Sequence, residues 1–153
     1  GYNTIVLSSL VEGESREAAK FLAAIAKEVS RTGTPVPKPA CIIAGGETTV
    51  TIKGKGKGGR NQEFALSAAI EIEGCEGVVI LGAGTDGTDG PTDATGAIVD
   101  YNTCKDARVK FSRSPEEFLN NNDSYNFFKK TGEHIVTGPT MTNVMDIMIS
   151  LID

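Results

Sequence analysis

The sequence is poor in the residues that most often announce a chemistry. It has one histidine, His134, and three cysteines, Cys41, Cys75 and Cys104. The cysteines stand 34 and 29 residues apart, with no C-x-x-C pair. That pattern favours buried, reduced thiols over a disulfide framework or a zinc site. No serine sits in a nucleophile elbow, so a Ser–His–Asp triad is disfavoured and His134 reads as a surface or strand-end residue. No apolar run approaches the roughly 20 residues that cross a bilayer, and no G-x-x-x-x-G-K-[ST] loop occurs. Basic residues are in deficit, 15 Lys and Arg against 20 Asp and Glu, for a net charge of −5. That argues against a general nucleic-acid binder. The first residues lack the basic and apolar regions of a signal peptide and an initiating Met, so a cytoplasmic location and a piece of a longer chain are expected.

What is present is glycine. The 153 residues hold 18, thirteen of them between Gly45 and Gly96. With 39% hydrophobic and 23% charged residues, the remainder is ordinary globular composition for a single domain. Ile5-Val6-Leu7 reads as a strand. Ala18, Leu22, Ile25 and Val29 mark one face of a helix from Gly13-Glu14 to about Ser30, with Gly33 as its stop. Cys41–Ala44 and Val50–Lys53 read as an antiparallel pair around Gly45-Gly46, with Val50 and Ile52 inward. A helix is expected from about Asn61 to Ile72. Val78–Leu81 reads as a strand covered on both faces, and Ala97–Val99 as another. Ser114-Pro115-Glu116-Glu117 is a helix start with capping-box chemistry. The aromatic-rich stretch that follows is expected to cover the sheet. Ile135-Val136 and Val144–Ile152 close the domain. The expectation is therefore a layered α/β domain with a mixed, partly antiparallel sheet flanked by helices.

Three segments could carry chemistry. Lys53 to Glu63 places Lys53, Lys55, Lys57 and Arg60 between a strand and a helix. Its glycines permit close approach of a ligand, and free N–H groups at a helix start attract anions. The lysines alone read as a solvated loop; Gly58-Gly59-Arg60 reads as an anion site, since Arg60 can grip a carboxylate or phosphate with two bonds. Gly82 to Asp93 leaves the end of a strand, where open α/β sheets place ligands. Asp86 and Asp89 could hold Mg²⁺, orient a hydroxyl or accept its proton, while Asp93 is the expected cap of the next element. Both loops match G-x-G-x-x-G, but Gly90-Pro91 prevents a helix after the second, and no ribose-binding acid follows either. A nicotinamide fold is rejected. The third segment, Thr137 to Asn143, offers hydroxyls around a Gly-Pro turn.

At these residues the sequence resembles the C-terminal MOFRL domain of the class II glycerate kinases. The resemblance lies in Gly54-Lys55-Gly56-Lys57-Gly58-Gly59-Arg60-Asn61-Gln62-Glu63, in Gly84-Thr85-Asp86-Gly87-Thr88-Asp89-Gly90-Pro91-Thr92-Asp93-Ala94, and in Thr137-Gly138-Pro139-Thr140 with Thr142-Asn143. Met141 and Met145 stand where the family more often has Gly and Asn. The resemblance implies ATP-dependent phosphorylation of D-glycerate to 2-phosphoglycerate, with Mg²⁺ accompanying ATP. It also implies a cleft shared with a larger N-terminal domain that is absent from residues 1–153. It places Arg60, Asp86 and Asp89 in catalytic roles, the two aspartates also as Mg²⁺ ligands. Lys55, Lys57, Gly58, Gly59, Asn61, Thr85, Thr137 and Thr140 would then bind substrate or phosphate. A reductase of hydroxypyruvate and a freestanding anion-binding domain are the rival readings. Self-association into a homo-oligomer stays open.

Overall fold

The computed structural model describes all of residues 1–153. Six strands form one mixed sheet in the order β1-β2-β6-β3-β4-β5. They are β1 (Asn3–Val11), β2 (Ala40–Gly46), β3 (Val78–Gly84), β4 (Gly96–Asp100), β5 (His134–Ile135) and β6 (Asp146–Ile152). The helices are α1 (Ser15–Thr32), α2 (Arg60–Glu71), α3 (Thr103–Lys110), α4 (Pro115–Asn120) and α5 (Ser124–Thr131). β1 and β2 run parallel with α1 as their crossover, and every other pair is antiparallel. The mixed α/β sheet thus agrees with the sequence, for a different reason from the one expected.

The Cys41–Lys53 hairpin does not form. Val50 to Lys53 lies outside any strand and Ile52 is 79% exposed. Thr51 instead donates its backbone N–H to the Glu14 carboxylate, and Lys53 donates its own to Asn122 Oδ1. A segment whose N–H groups go to side chains has none for a ladder. β2 takes as partners the distant β6 and β1.

Alternation along the strands decides where the core sits. Ala40, Ile42 and Ala44 of β2, Val78 and Ile80 of β3, and Met148 and Ile152 of β6 are buried against α1 and α2 in one cluster of 27 residues. Their odd-numbered neighbours are only half-buried. The helices therefore cover one face, and Val78–Leu81 is not covered on both. α1 contributes Ala19, Leu22, Ala23, Ala26 and Val29, and ends where Gly33 turns left-handed at φ 69° and donates to Val29 O. α4 carries the expected capping box between Ser114 and Glu117. Phe111, Phe118, Phe127 and Phe128 interlock edge to face, and the helices bearing them pack chiefly on α2, with little on the sheet itself. The three cysteines are free, Cys104 buried and the other two half-buried; burial pushes the Cys104 thiol up to about 12.

Candidate active site

β2 and β3 run toward one end of the sheet, and β6 begins there between them. Gly46 and Gly84 are each in register with Asp146, so a carboxylate is set into the floor at that end. α1 and α2 both start above it, and the hydroxyl of Ser15 ties their starts together by donating to Arg60 O. A cavity of about 600 Å³ opens here, lined by Gly56 to Arg60, by Asp86 and Thr88 to Pro91, and by Thr48 to Val50.

The first turn of α2 is a lock with four different keys. Arg60 donates from Nε and Nη2 to Asp146, at 2.7 and 3.1 Å, and from Nη1 to Glu47 at 2.9 Å. Asp146, whose side chain has no exposure, pushes the Arg60 guanidinium up in pKa, so its charge is fixed. Asn61 donates from Nδ2 to Asp146 at 2.9 Å and to Asp89 at 3.3 Å. Gln62 donates from Nε2 to Asp89 at 2.9 Å, and its Oε1 lies 3.0 Å from His134 Nε2. That oxygen can only accept, so Nε2 carries the His134 proton. Glu63 is buried and receives Arg16 at 2.7 Å and Asn122 at 2.9 Å. A buried charge demands such partners.

The cap expected at Asp93 is instead Asp89. Asp89 is buried and accepts the backbone N–H groups of Asn61 and Gln62, at 3.0 and 2.9 Å, besides their side-chain amides. It is the anion that caps α2, with burial pushing its pKa up against those four donors. Asp93, the expected cap, is exposed and takes a hydrogen bond from the Tyr125 hydroxyl at 2.8 Å. Asp86 is half-buried. Its Oδ1 receives Thr88 N–H and Oγ1 at 3.0 and 3.3 Å, leaving Oδ2 free on a residue that lines the cavity.

The glycines of the cationic loop also serve a purpose other than ligand approach. A Cβ on Gly54 would meet Asn121, on Gly56 Asp123, on Gly58 the Ser124 hydroxyl and on Gly59 the Asp89 carboxylate. The loop lies flat on residues 121–124, which take its N–H groups: Lys55 donates to Asn121 Oδ1, Gly56 to Asn121 O and Lys57 to Asp123 Oδ1. The N–H groups of Gly58, Gly59 and Arg60 have no such partner. The ammonium of Lys57 sits 4.3 Å from the Tyr125 ring centre.

The cavity therefore brings together Lys57, Gly58, Gly59, Arg60, Asp86 and Asp89. Lys55, Asn61, Thr85, Thr137 and Thr140 do not line it. Thr85 and Thr140 instead bind loops to one another, Thr85 Oγ1 donating to Met145 O and Thr140 Oγ1 to Thr85 O. Thr137 is exposed and turned onto Gly138 O. Met141 and Met145 hold left-handed backbone, φ 60° and 68°, the conformation that suits Gly and Asn.

A Mg²⁺ ion held jointly by Asp86 and Asp89 does not fit. Asp89 spends its lone pairs on four N–H donors, so of the two only Asp86, with Oδ2 free, keeps an oxygen to offer a cation. Sequence reasoning missed Asp146, Glu63, Gln62 and Asn122. Gln62 and Glu63 were signalled by the polar residues that crowd the first turn of an otherwise apolar helix; Asp146 and Asn122 come from 85 and 59 residues away and carry no local signal.

The MOFRL family model matches residues 40–146. D-glycerate 2-kinase of Thermotoga maritima is 54% identical over 152 residues, covering 99% of this chain and 36% of the kinase. A crystal structure of a glycerate kinase from Thermotoga maritima, 54% identical, superimposes with a TM-score of 0.98 over 100% of this chain and 37% of that one. Glycerate 2-kinase of Pyrococcus horikoshii is 44% identical, over 99% of this chain and 34% of its own length. A putative hydroxypyruvate reductase of Agrobacterium vitis is 41% identical, over 99% of this chain and 35% of that protein. The chain thus spans just over a third of the length of the curated relatives it matches. With the motif residues, the sheet and the family model in agreement, the chain belongs to the MOFRL family.

Proposed function

We propose that this chain supplies one wall of a glycerate kinase active site, where the C2 hydroxyl of D-glycerate attacks the γ-phosphorus of ATP. The new O–P bond forms as the bond to ADP breaks, giving 2-phosphoglycerate, and the hydroxyl proton leaves to a carboxylate. The observation that carries this is the lining of the cavity: it includes Gly58, Gly59 and Arg60, whose N–H groups have no partner, and Asp86, whose Oδ2 is free. Free N–H donors suit the anionic oxygens of a carboxylate or phosphoryl group. A free carboxylate oxygen suits the hydroxyl proton.

Arg60 works as a fixed cation. Asp146 clamps its Nε and Nη2 edge; of the five N–H donors of a guanidinium, the one given to Glu47 is at the exposed side and open to exchange for a substrate oxygen. Asp89, although it lines the cavity, is spent on capping α2 and so acts by holding Arg60 and the first turn in place. No step runs through a metal held by these residues. Phosphoryl transfer depends on positioning and charge more than on covalent chemistry, so the rest of the longer protein must supply the nucleotide contacts, and residues 1–153 alone should turn over little substrate.

The names carried by the Agrobacterium vitis relative support a second reading, reduction of hydroxypyruvate. One pair of assays on the longer protein separates them. ADP formation dependent on D-glycerate, abolished in Asp86→Asn with an unchanged melting curve, is the expected result. NADH oxidation with hydroxypyruvate and no ADP would overturn the kinase reading.

A further inference from the structure

The face of the sheet away from the helices is apolar where it should be wet. A one-sided antiparallel sheet normally turns polar residues outward. Here the outward residues in register across five strands are Val6, Ile43, Ile149, Leu81 and Ile98. At about 4.8 Å per strand that row is roughly 19 Å wide, and no charged side chain interrupts it. The next row holds Cys41, Leu151 and Val79 at its centre, with Thr4 and Asp100 at its two ends, and Ile147 lies on the other side of the first row. Val6 is 68% exposed and Ile98 44%.

The apolar surface continues around the edge. β1 pairs only with β2, and its nine residues contain no charge and no proline, so its free edge lacks those two guards against pairing. Beyond that edge, on the helix side, Leu7, Val11 and Phe21 line a groove of about 470 Å³. Leu10 is 80% and Phe21 66% exposed. Face, edge and groove form one surface, larger than the scattered apolar residues a stable monomer tolerates.

We propose that this surface is the seat of the domain that makes up the rest of the longer protein. Nearly two-thirds of the length of the relatives lies outside the matched region, which is ample to cover it. A second copy fits less well. The surface bends around β1 on three sides, and β1 has register breaks between Val6 and Ser8 and between Ser8 and Val11, so a flat two-fold contact leaves much of it bare. A tethered domain also escapes most of the translational entropy that a free partner loses. The inference stands apart from the kinase reading, since it concerns the sheet face and not the cavity.

Cys41 lies on this face and Cys75 elsewhere, so the native thiols are the probe. Alkylation followed by mass spectrometry is compared between residues 1–153 and the longer protein. Cys41 should react at least tenfold more slowly in the longer protein, with Cys75 changed less than twofold. Val6→Lys with Ile98→Lys, both at exposed positions, should restore Cys41 reactivity there while leaving ADP formation measurable. Equal Cys41 rates in the two proteins would overturn the proposal. So would a Cys41 rate in residues 1–153 that falls as their concentration rises, because a second copy would then be the occupant. A coding region that encodes nothing beyond this chain would overturn it as well.

Discussion

The two glycine-rich loops that meet at the cavity look alike in sequence and behave differently. The Lys53–Gly59 loop carries most of the positive charge, yet its N–H groups up to Lys57 are spent on Asn121, Asn122 and Asp123. Only its last two glycines and Arg60 keep donors free. The Gly82–Asp93 loop carries the negative charge, and one of its acids is buried as a helix cap while another keeps an open oxygen. Ligand readiness is thus a matter of which hydrogen bonds remain unmade. Charge density along the chain does not report it.

Substitutions can break that comparison, beginning with the largest effect. Gly59→Ala drives a methyl into the Asp89 carboxylate and the backbone behind it. It should cost roughly 3 kcal/mol or more of stability in denaturant unfolding, since it displaces a buried, fully bonded anion. Gly138→Ala has open space and pays only for its positive φ, about 1 kcal/mol. Equal costs would mean the loop is not packed as described.

Arg60→Lys should be nearly as damaging as Arg60→Ala, because lysine cannot make the two-edged contact with Asp146 and still present donors to the cavity. In the longer protein kcat/KM should fall by roughly 10²-fold, equivalent to about 2.7 kcal/mol. Asp89→Asn follows. An amide would turn N–H groups toward donors, costing about 2 kcal/mol, whereas Asp93→Asn at its exposed site should stay within about 0.5 kcal/mol. Melting curves of the two variants, side by side, check which aspartate is the cap. Met145→Asn should gain about 1 kcal/mol by easing a left-handed backbone, and no gain would contradict the φ at that position.

The smallest effect is a pH dependence. Burial pushes the His134 pKa below the ordinary value of 6.5, with Lys129 adding to the shift and Asp93 opposing it. The unfolded chain therefore binds that proton first, so the contribution is complete above about pH 6.5 and is lost as the pH falls through the folded value. His134→Gln keeps a donor for Gln62 and should flatten the fall in melting temperature between about pH 7 and pH 5. An unchanged slope would assign the fall to other groups.

How much of this was legible in the sequence depended on range. α1, α4 and their caps are local: Leu22, Val29 and the Ser114–Glu117 box needed only their own neighbours, while Ala18 and Ile25, expected on the same face, are only partly buried at its margin. The Val50–Lys53 strand failed because alternation says nothing about who takes the N–H groups, and here Glu14 and Asn122 do, from 37 and 69 residues away. Asp89 and Asp93 are chemically identical and four residues apart. Only the approach of α2, placed by the burial of Phe64 and Ala68, tells cap from surface. The motif drew attention to Arg60-Asn61-Gln62-Glu63 but not to what its side chains do in the fold, where they form a structural lock with Asp146, Asp89, Arg16 and Asn122.

The most direct test of the account is a phosphate titration of the isotope-labelled chain, read at the backbone amides by NMR. The account predicts saturable shifts at Gly58, Gly59 and Arg60, the amides left free, with little change at Lys55, Gly56 and Lys57. Shifts centred on Lys55 to Lys57, or none at the three free amides, would contradict it.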